Sequence, residues 1–282
     1  MTTMPPKLAS MIHRPRVVHI LEVSDETPTV KTLSFKDNLS AGAMPGQFGM
    51  AWVPGVDEFP MSLLPSGRED IVTIAVKERG EGSRALLRKR SGDLIGIRGP
   101  YGRGFTYSNE KKVLMIGGGT GAIPLVALLR TLVHRAVECS FVLGANSSRE
   151  LMFLSEIRQL VKETVGFLAV TTDDGSAGTR GLATDEAAKL LGDRRFDRVY
   201  TCGPERMMKK VMDLAEKAHA PAEAGLERIF KCGSGICGSC CIGSYLACKD
   251  GPVFSDEILK HVPEFGKTTR DASGRPTAIL EP

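Results

Sequence analysis

The chain has no long apolar run. Its most apolar long uncharged stretch, Val113 to Leu129, is broken by four glycines and a proline. A helix crossing a bilayer needs about 20 predominantly apolar residues, so this stretch reads as a buried strand, turn and helix. The N-terminus lacks the apolar segment of a signal peptide, and the expected location is the cytoplasm. There is no long internal repeat and no low-complexity tract. A field of one charge sign is also missing: 37 basic and 33 acidic residues leave a net charge of +4, and the basic residues are scattered. The short runs Arg88–Arg90 and Lys209–Lys210 read as solvated helix faces, which excludes a nucleic-acid footprint. With 282 residues, 42% hydrophobic and 25% charged, the chain suits two globular domains and a small third.

What the chain does have is concentrated cysteine. Five of the seven cysteines, Cys232, Cys237, Cys240, Cys241 and Cys248, fall between Lys231 and Lys249. The spacing C-x4-C-x2-C followed by a further cysteine is the plant-type iron–sulfur pattern. Three thiolates on one loop face one cluster only if the backbone folds tightly over it. Gly233, Gly235 and Gly238 permit that fold and bring peptide N–H groups to the sulfurs. Cys232, Cys237 and Cys240 match the loop, and Cys248 is the expected fourth ligand. Cys241 is adjacent to Cys240, so its side chain is expected to point elsewhere. A four-thiolate zinc site usually needs two separated C-x2-C knuckles, and the leading set has one. Disulfides need an oxidising compartment, to which nothing here points.

Residues 14–107 alternate short β-type runs with turn signals: Arg16–Val23, Thr29–Phe35, Gly49–Val53, Ile71–Val76 and Asp93–Arg98. Such spacing predicts a small antiparallel barrel or sandwich, with a short helix at Leu86–Arg90. Two loops stand out, Phe59-Pro60-Met61-Ser62-Leu63 and Lys77 to Ser83. A Gly-x-Gly-Ser loop that opens a helix places N–H groups and a hydroxyl beside a phosphate; a structural turn would have the same residues.

At Lys111–Ile116 the pattern changes. An apolar strand runs into Gly117-Gly118-Gly119-Thr120-Gly121-Ala122 and then a helix to about Val133. Gly117, Gly119 and Ala122 satisfy G-x-G-x-x-A in the context that motif requires. Strands at Ser140–Leu143, Gly166–Thr171 and Arg198–Thr201 alternate with helices at Glu150–Glu163, Ala183–Leu191 and Pro204–Lys217. That alternation predicts a doubly wound parallel sheet. Cys202-Gly203-Pro204 ends the last strand, at the edge where such sheets bind ligands; Cys202 faces a nicotinamide or is a small buried residue. Cys139 reads as core, and Asp173-Asp174-Gly175-Ser176 as a plain hairpin turn.

A β-domain with a P-x-S loop, a GGGTG turn with a later CGP, and a terminal C-x4-C-x2-C loop together resemble the ferredoxin reductase superfamily. Within it, C-G-S-G-I-C-G-S-C-C followed by C-K-D-G-P-V-F resembles the electron-transfer subunits of dihydroorotate dehydrogenase type B. The resemblance spans roughly residues 14–260. It implies an FAD-binding antiparallel barrel over 1–108, an NAD-binding α/β domain over 109–222 and a [2Fe–2S] domain with a tail over 223–282. It also implies that Pro60, Met61 and Ser62 line the flavin and that Gly80, Gly82 and Ser83 hold its pyrophosphate. Gly118, Gly119, Thr120 and Gly121 would hold NAD, with Cys202, Gly203 and Pro204 near its ring. Phe59 stands where relatives often carry arginine, and only seven residues separate Cys240 from Cys248, a trimmed loop.

The implied activity is electron relay. An FMN-containing dihydroorotate dehydrogenase catalytic subunit, in a heterotetramer, would deliver electrons through the cluster and FAD to NAD+, in pyrimidine biosynthesis. No side chain need act as general acid or base, and no pyrimidine pocket is evident. The alternatives are the small subunit of a ferredoxin:NAD(P)H oxidoreductase and a zinc-stabilised nucleotide-binding regulator. No clear acidic residue for a ribose 2′-hydroxyl follows the second strand of the α/β domain, where Ser147, Ser148 and Arg149 stand, so NADP stays open beside NAD.

Overall fold

The computed structural model describes residues 11–67 and 70–279. The N-terminal residues read above for a signal peptide lie outside the described residues, as do the outer limits of the first and last expected domains. Among the described residues no helix is long and apolar enough to cross a membrane.

The first seven strands are β1 (Arg16–Thr27), β2 (Val30–Lys36), β3 (Phe48–Val53), β4 (Asp57–Ser62), β5 (Leu64–Pro65), β6 (Ile71–Lys77) and β7 (Leu94–Tyr101). They form one sheet in the order β4-β3-β7-β1-β2-β6-β5, with every neighbouring pair antiparallel. Ile20, Leu33, Phe35, Val72, Ile74 and Ile97 fill its inside, as period-2 strands with one solvated face require.

Two expectations in this domain need correction. Phe59 to Ser62 is strand, not loop: Pro60 stands opposite Met50 in β4. Proline is tolerated there because β4 ends its sheet and its outer N–H positions need no ladder partner. The short helix runs Glu81–Leu87, not Leu86–Arg90, because Gly80 serves as its N-cap.

The second sheet contains β8 (Lys112–Gly118), β9 (Glu138–Ala145), β10 (Leu168–Thr172), β11 (Thr179–Arg180), β12 (Arg198–Cys202), β13 (Ala222–Gly225) and β16 (Val253–Ser255). The order is β11-β10-β9-β8-β12-β13-β16, parallel except for β16 against β13. Along β8, Val113 and Met115 pack with helices Ala122–Leu132 and Leu154–Glu163. Leu114 and Ile116 pack with helices Ala183–Asp193 and Glu205–Lys217 on the other face. Burial on both faces is why β8 is apolar from Val113 onward. Asp173–Ser176 does turn, but not into a hairpin: β11 runs parallel to β10, with Thr171 opposite Thr179. Thr172 Oγ1 donates to Ala177 O (2.8 Å) and folds the loop back over the strand end.

The C-terminal segment is tied to both earlier units. β16 extends the parallel sheet, while Ile242, Ala247, Leu259 and Phe265 join the core beneath helix Glu205–Lys217. The boundary expected at 222/223 falls at the first residues of β13. Within this segment lie two small hairpins, β14 (Cys241–Ile242) with β15 (Tyr245–Leu246), and β17 (Thr268–Arg270) with β18 (Pro276–Ala278).

Candidate functional site

One cavity of about 650 Å³ runs between the two sheets. The barrel contributes Pro60, Met61 and Ser62 from β4, and Gly80, Gly82 and Ser83 from the start of helix Glu81–Leu87. The parallel sheet contributes Thr120, Gly121, Cys202 and Gly203 from its carboxyl edge. Sequence-predicted residues from both domains thus meet in one space. Gly118, Gly119 and Pro204 are not part of that lining.

The turns are held in shape from within. Ser83 Oγ accepts from Arg79 N (2.8 Å) and Gly80 N (3.0 Å) and donates to Gly80 O (3.0 Å). Its hydroxyl therefore shapes the loop, and the N–H groups of the helix's first turn have no intrahelical acceptor. Gly82 is packed against Phe59 and Asp57; a Cβ there would lie 2.8 Å from the Phe59 ring. Phe59 thus fills the wall where an arginine was expected. Lys77 and Arg79 also line the cavity, Lys77 with its Nζ paired to Glu150 (3.2 Å). Only their loop, not their role, was read from the sequence.

The GGGTG and CGP turns interlock. A Cβ on Gly121 would sit 2.2 Å from the Cys202 carbonyl oxygen and 2.4 Å from Gly203 N. Gly203 is at φ 152, and a Cβ there would meet Gly118 N and O at 3.0 Å. No side chain fits between these strands' ends, so the backbone itself is exposed to whatever binds. Cys202 turns its Sγ to Gly225 O (3.1 Å), and burial pushes its thiol up. It is a neutral wall of the cavity. Cys139 is fully buried, and burial pushes its thiol up to about 12. Just after β10, Asp173 N and Asp174 N donate to Ala145 O and Asn146 O (3.1 and 3.2 Å). Two acids that follow β10 therefore lie beside the segment after β9, whose own Glu150 is paired with Lys77 (3.2 Å), a placement that sequence spacing does not reveal.

The cysteine loop lies against the barrel. Gly233, Gly235 and Gly238 have φ of 69, 78 and 72°, and a Cβ on Gly233 would be 2.8 Å from Met50 Cγ. Cys232 Sγ accepts from Ser234 N, Ile236 N and Cys237 N (3.5, 3.4 and 3.5 Å). Gly235 N donates to Cys248 Sγ (3.2 Å) and Cys248 N to Cys240 Sγ (3.4 Å). Burial pushes the Cys232 thiol up, but the N–H groups of Cys237, Ser234 and Ile236 outweigh it and bring it down to about 6. The Cys248 thiol donates to Cys240 sulfur, which holds Cys240 at about 6 and pushes Cys248 up. The Cys237 thiol donates to Ser239 Oγ (3.4 Å). Among the described residues no three His, Cys, Asp or Glu side chains close on a single metal ion. Cys241 enters none of these sulfur contacts; its Sγ lies 3.7 Å from the Cβ position of Gly238. N–H donors on deprotonatable sulfurs are what an iron–sulfur cluster requires, so the residues present fit that group.

These features define a class: a ferredoxin-reductase-type oxidoreductase, with a barrel, a doubly wound nucleotide sheet and an iron–sulfur loop. Residues 115–213 match the sequence model of the oxidoreductase NAD-binding domain. Residues 227–260 match that of the iron–sulfur cluster binding domain of dihydroorotate dehydrogenase B. A probable dihydroorotate dehydrogenase B (NAD+) electron transfer subunit from Methanocaldococcus jannaschii is 40% identical over 266 residues, 94% of this chain and 98% of that protein. Its counterpart from Thermococcus kodakarensis is 44% identical over 246 residues, 86% and 97%. Among solved structures, an NADH-dependent reduced ferredoxin-NADP oxidoreductase chain is 28% identical with a TM-score of 0.75, covering 89% of this chain and 94% of that one. Phthalate dioxygenase reductase, at 18% identity and TM-score 0.59 over 76% and 66%, shares the fold. The chain belongs to the family of dihydroorotate dehydrogenase B electron transfer subunits.

Proposed function

We propose that this chain relays electrons from an FMN-containing, dihydroorotate-oxidising catalytic subunit to NAD+, in a heterotetramer. When bound, a [2Fe–2S] cluster supplies single-electron transfer, FAD the change from one electron to two, and NAD+ the hydride acceptor. Cys232, Cys237, Cys240 and Cys248 hold the cluster. Pro60, Met61 and Ser62 line the flavin ring, and the turn at Gly80, with the N–H groups of Gly82 and Ser83 and with Lys77 and Arg79, receives its pyrophosphate. Gly118, Gly119, Thr120 and Gly121 receive the nicotinamide nucleotide at the start of helix Ala122–Leu132. Cys202, Gly203 and Pro204 bound the site of its ring. Asp173 and Asp174 favour a ribose 2′-hydroxyl over a 2′-phosphate, hence NAD over NADP. The protein's share of the work is placement and tuning.

The observation that carries this reading is the single cavity shared by the two turns of the barrel and the two turns of the parallel sheet, with the cysteine loop against its barrel side. The test is anaerobic co-purification with the native partner, followed by assays for iron, acid-labile sulfide, FAD and dihydroorotate-driven NAD+ reduction. All four are expected. Absence of iron and sulfide ends the proposal. A loaded complex that ignores dihydroorotate but exchanges electrons with ferredoxin replaces it with the ferredoxin:NAD(P)H oxidoreductase reading.

A further inference from the structure

We infer that the Arg98 guanidinium, clamped by Glu58, raises the reduction potential of the cluster held by the Cys232 loop. The inference rests on the cluster reading above and adds two residues that belong to the barrel, not to the cysteine domain.

Arg98 lies on β7, opposite Met50 of β3, beneath the cysteine loop. Its Nε and Nη2 donate to the two Glu58 carboxylate oxygens, both at 2.6 Å. Nη1 donates to Tyr101 Oη (3.1 Å). Nη2 also donates to the backbone carbonyl of Cys232 (3.3 Å). The same loop is pressed on the barrel at Gly233, against Met50 and Tyr101. The side chains of Arg98 and Glu58 are 14% and 26% exposed. A full positive charge is thus fixed beside a ligand's backbone and half removed from water, where charges act over longer range than in bulk solvent.

Reduction adds one negative charge to an iron–sulfur cluster, and net charge and hydrogen bonds around the sulfurs set its potential. A fixed cation stabilises the reduced form, and a fixed anion destabilises it. Arg98 makes the direct contact with Cys232, and Glu58 stands behind it. The carboxylate therefore has two effects: it holds the fork in a bidentate geometry that lysine cannot copy, and it offsets part of the charge. A pair that merely stapled β4 to β7 would have no reason to reach the carbonyl of a cluster cysteine.

The test uses the loaded full-length chain in complex with its partner, with EPR of the cluster recorded at controlled potentials. Arg98→Gln is expected to lower the cluster's midpoint, by roughly tenfold in the reduction equilibrium, about 59 mV for one electron. Glu58→Gln is expected to raise it, and Arg98→Lys to stay nearer the parent than Arg98→Gln does. Flavin midpoints are expected to stay put in all three. Shifts of Arg98→Gln and Glu58→Gln in the same direction, or no shift in either at parental iron and sulfide content, overturn the inference. If Arg98→Gln fails to fold, the direction seen in Glu58→Gln decides alone. A parent protein without iron and sulfide is a separate result that removes the cluster reading itself.

Discussion

The rings of Phe48 and Phe230 pack with centroids 4.6 Å apart and planes at 45°. Phe48 opens β3, and Phe230 stands two residues before Cys232; both line the central cavity. This contact fixes the distance between the cysteine loop and the space assigned to flavin, and electron transfer depends on that distance. Truncating Phe230, which is 8% exposed, should destabilise the protein by about 3 kcal/mol. Phe230→Ala should retain the four cysteines' iron but pass electrons from cluster to flavin more slowly in rapid-mixing experiments. Unchanged transfer rates would show that the rings only fill space.

The interlocked turns make a sharper contrast between two glycines separated by one residue. Gly121→Ala puts a methyl 2.2 Å from the Cys202 carbonyl oxygen, and backbone must move to admit it. Gly119→Ala meets no atom within 4 Å; its only difficulty is φ of 54°, about 1–2 kcal/mol for a residue with a Cβ. Denaturant midpoints should fall much further for Gly121→Ala than for Gly119→Ala, and NADH binding should be lost in the former. Equal losses would show that the turns can spread.

The fold was largely legible because its signals are local. Runs such as Val113–Ile116, which are apolar on both faces, announce a parallel strand, and the glycine turns after it announce its edge. The cysteine spacing is as plain. What was not legible depends on which distant segments meet. Pro60 reads as a loop residue until β4 is known to be the end of a sheet. Asp173 and Asp174 read as a hairpin turn until Thr171 is found opposite Thr179. Phe48, Glu58 and Arg98 have no motif, and only pairing of β3 with β4 and β7 brings them under the cysteine loop. Nor does spacing separate Ser83 as a phosphate ligand from Ser83 as the residue that shapes its own turn; its three hydrogen bonds to Arg79 and Gly80 do.

The sulfur contacts divide the five clustered cysteines into four and one. Single serine replacements at Cys232, Cys237, Cys240 and Cys248 should each strip the cluster, as judged by iron, acid-labile sulfide and loss of visible absorbance. Cys241→Ser should keep all three at parental levels. A cluster that survives Cys248→Ser and disappears in Cys241→Ser would reassign the fourth ligand.

A last prediction concerns acid stability and lies far from the cofactors. Asp37 caps the short helix Asn38–Ala41 through Ser40 N (2.9 Å). It also takes a two-pronged bond from Arg16, with Nε to Oδ1 at 2.7 Å and Nη2 to Oδ2 at 2.8 Å. Burial pushes the Asp37 carboxyl up, but Arg16 and Ser40 outweigh it and hold it below the usual 3.8. A carboxyl depressed on folding contributes stability above its unfolded value, and that contribution is lost as pH falls through the folded value. Asp37→Asn should therefore cost about 1–3 kcal/mol at pH 7, from the unpaired Arg16 and the weakened cap. The deficit should shrink as pH drops below 3.8, where the parent protonates the same group. Urea unfolding of parent and variant across that range measures it; a deficit that is constant with pH would mean that packing, not the carboxylate charge, holds the strand entry at Arg16.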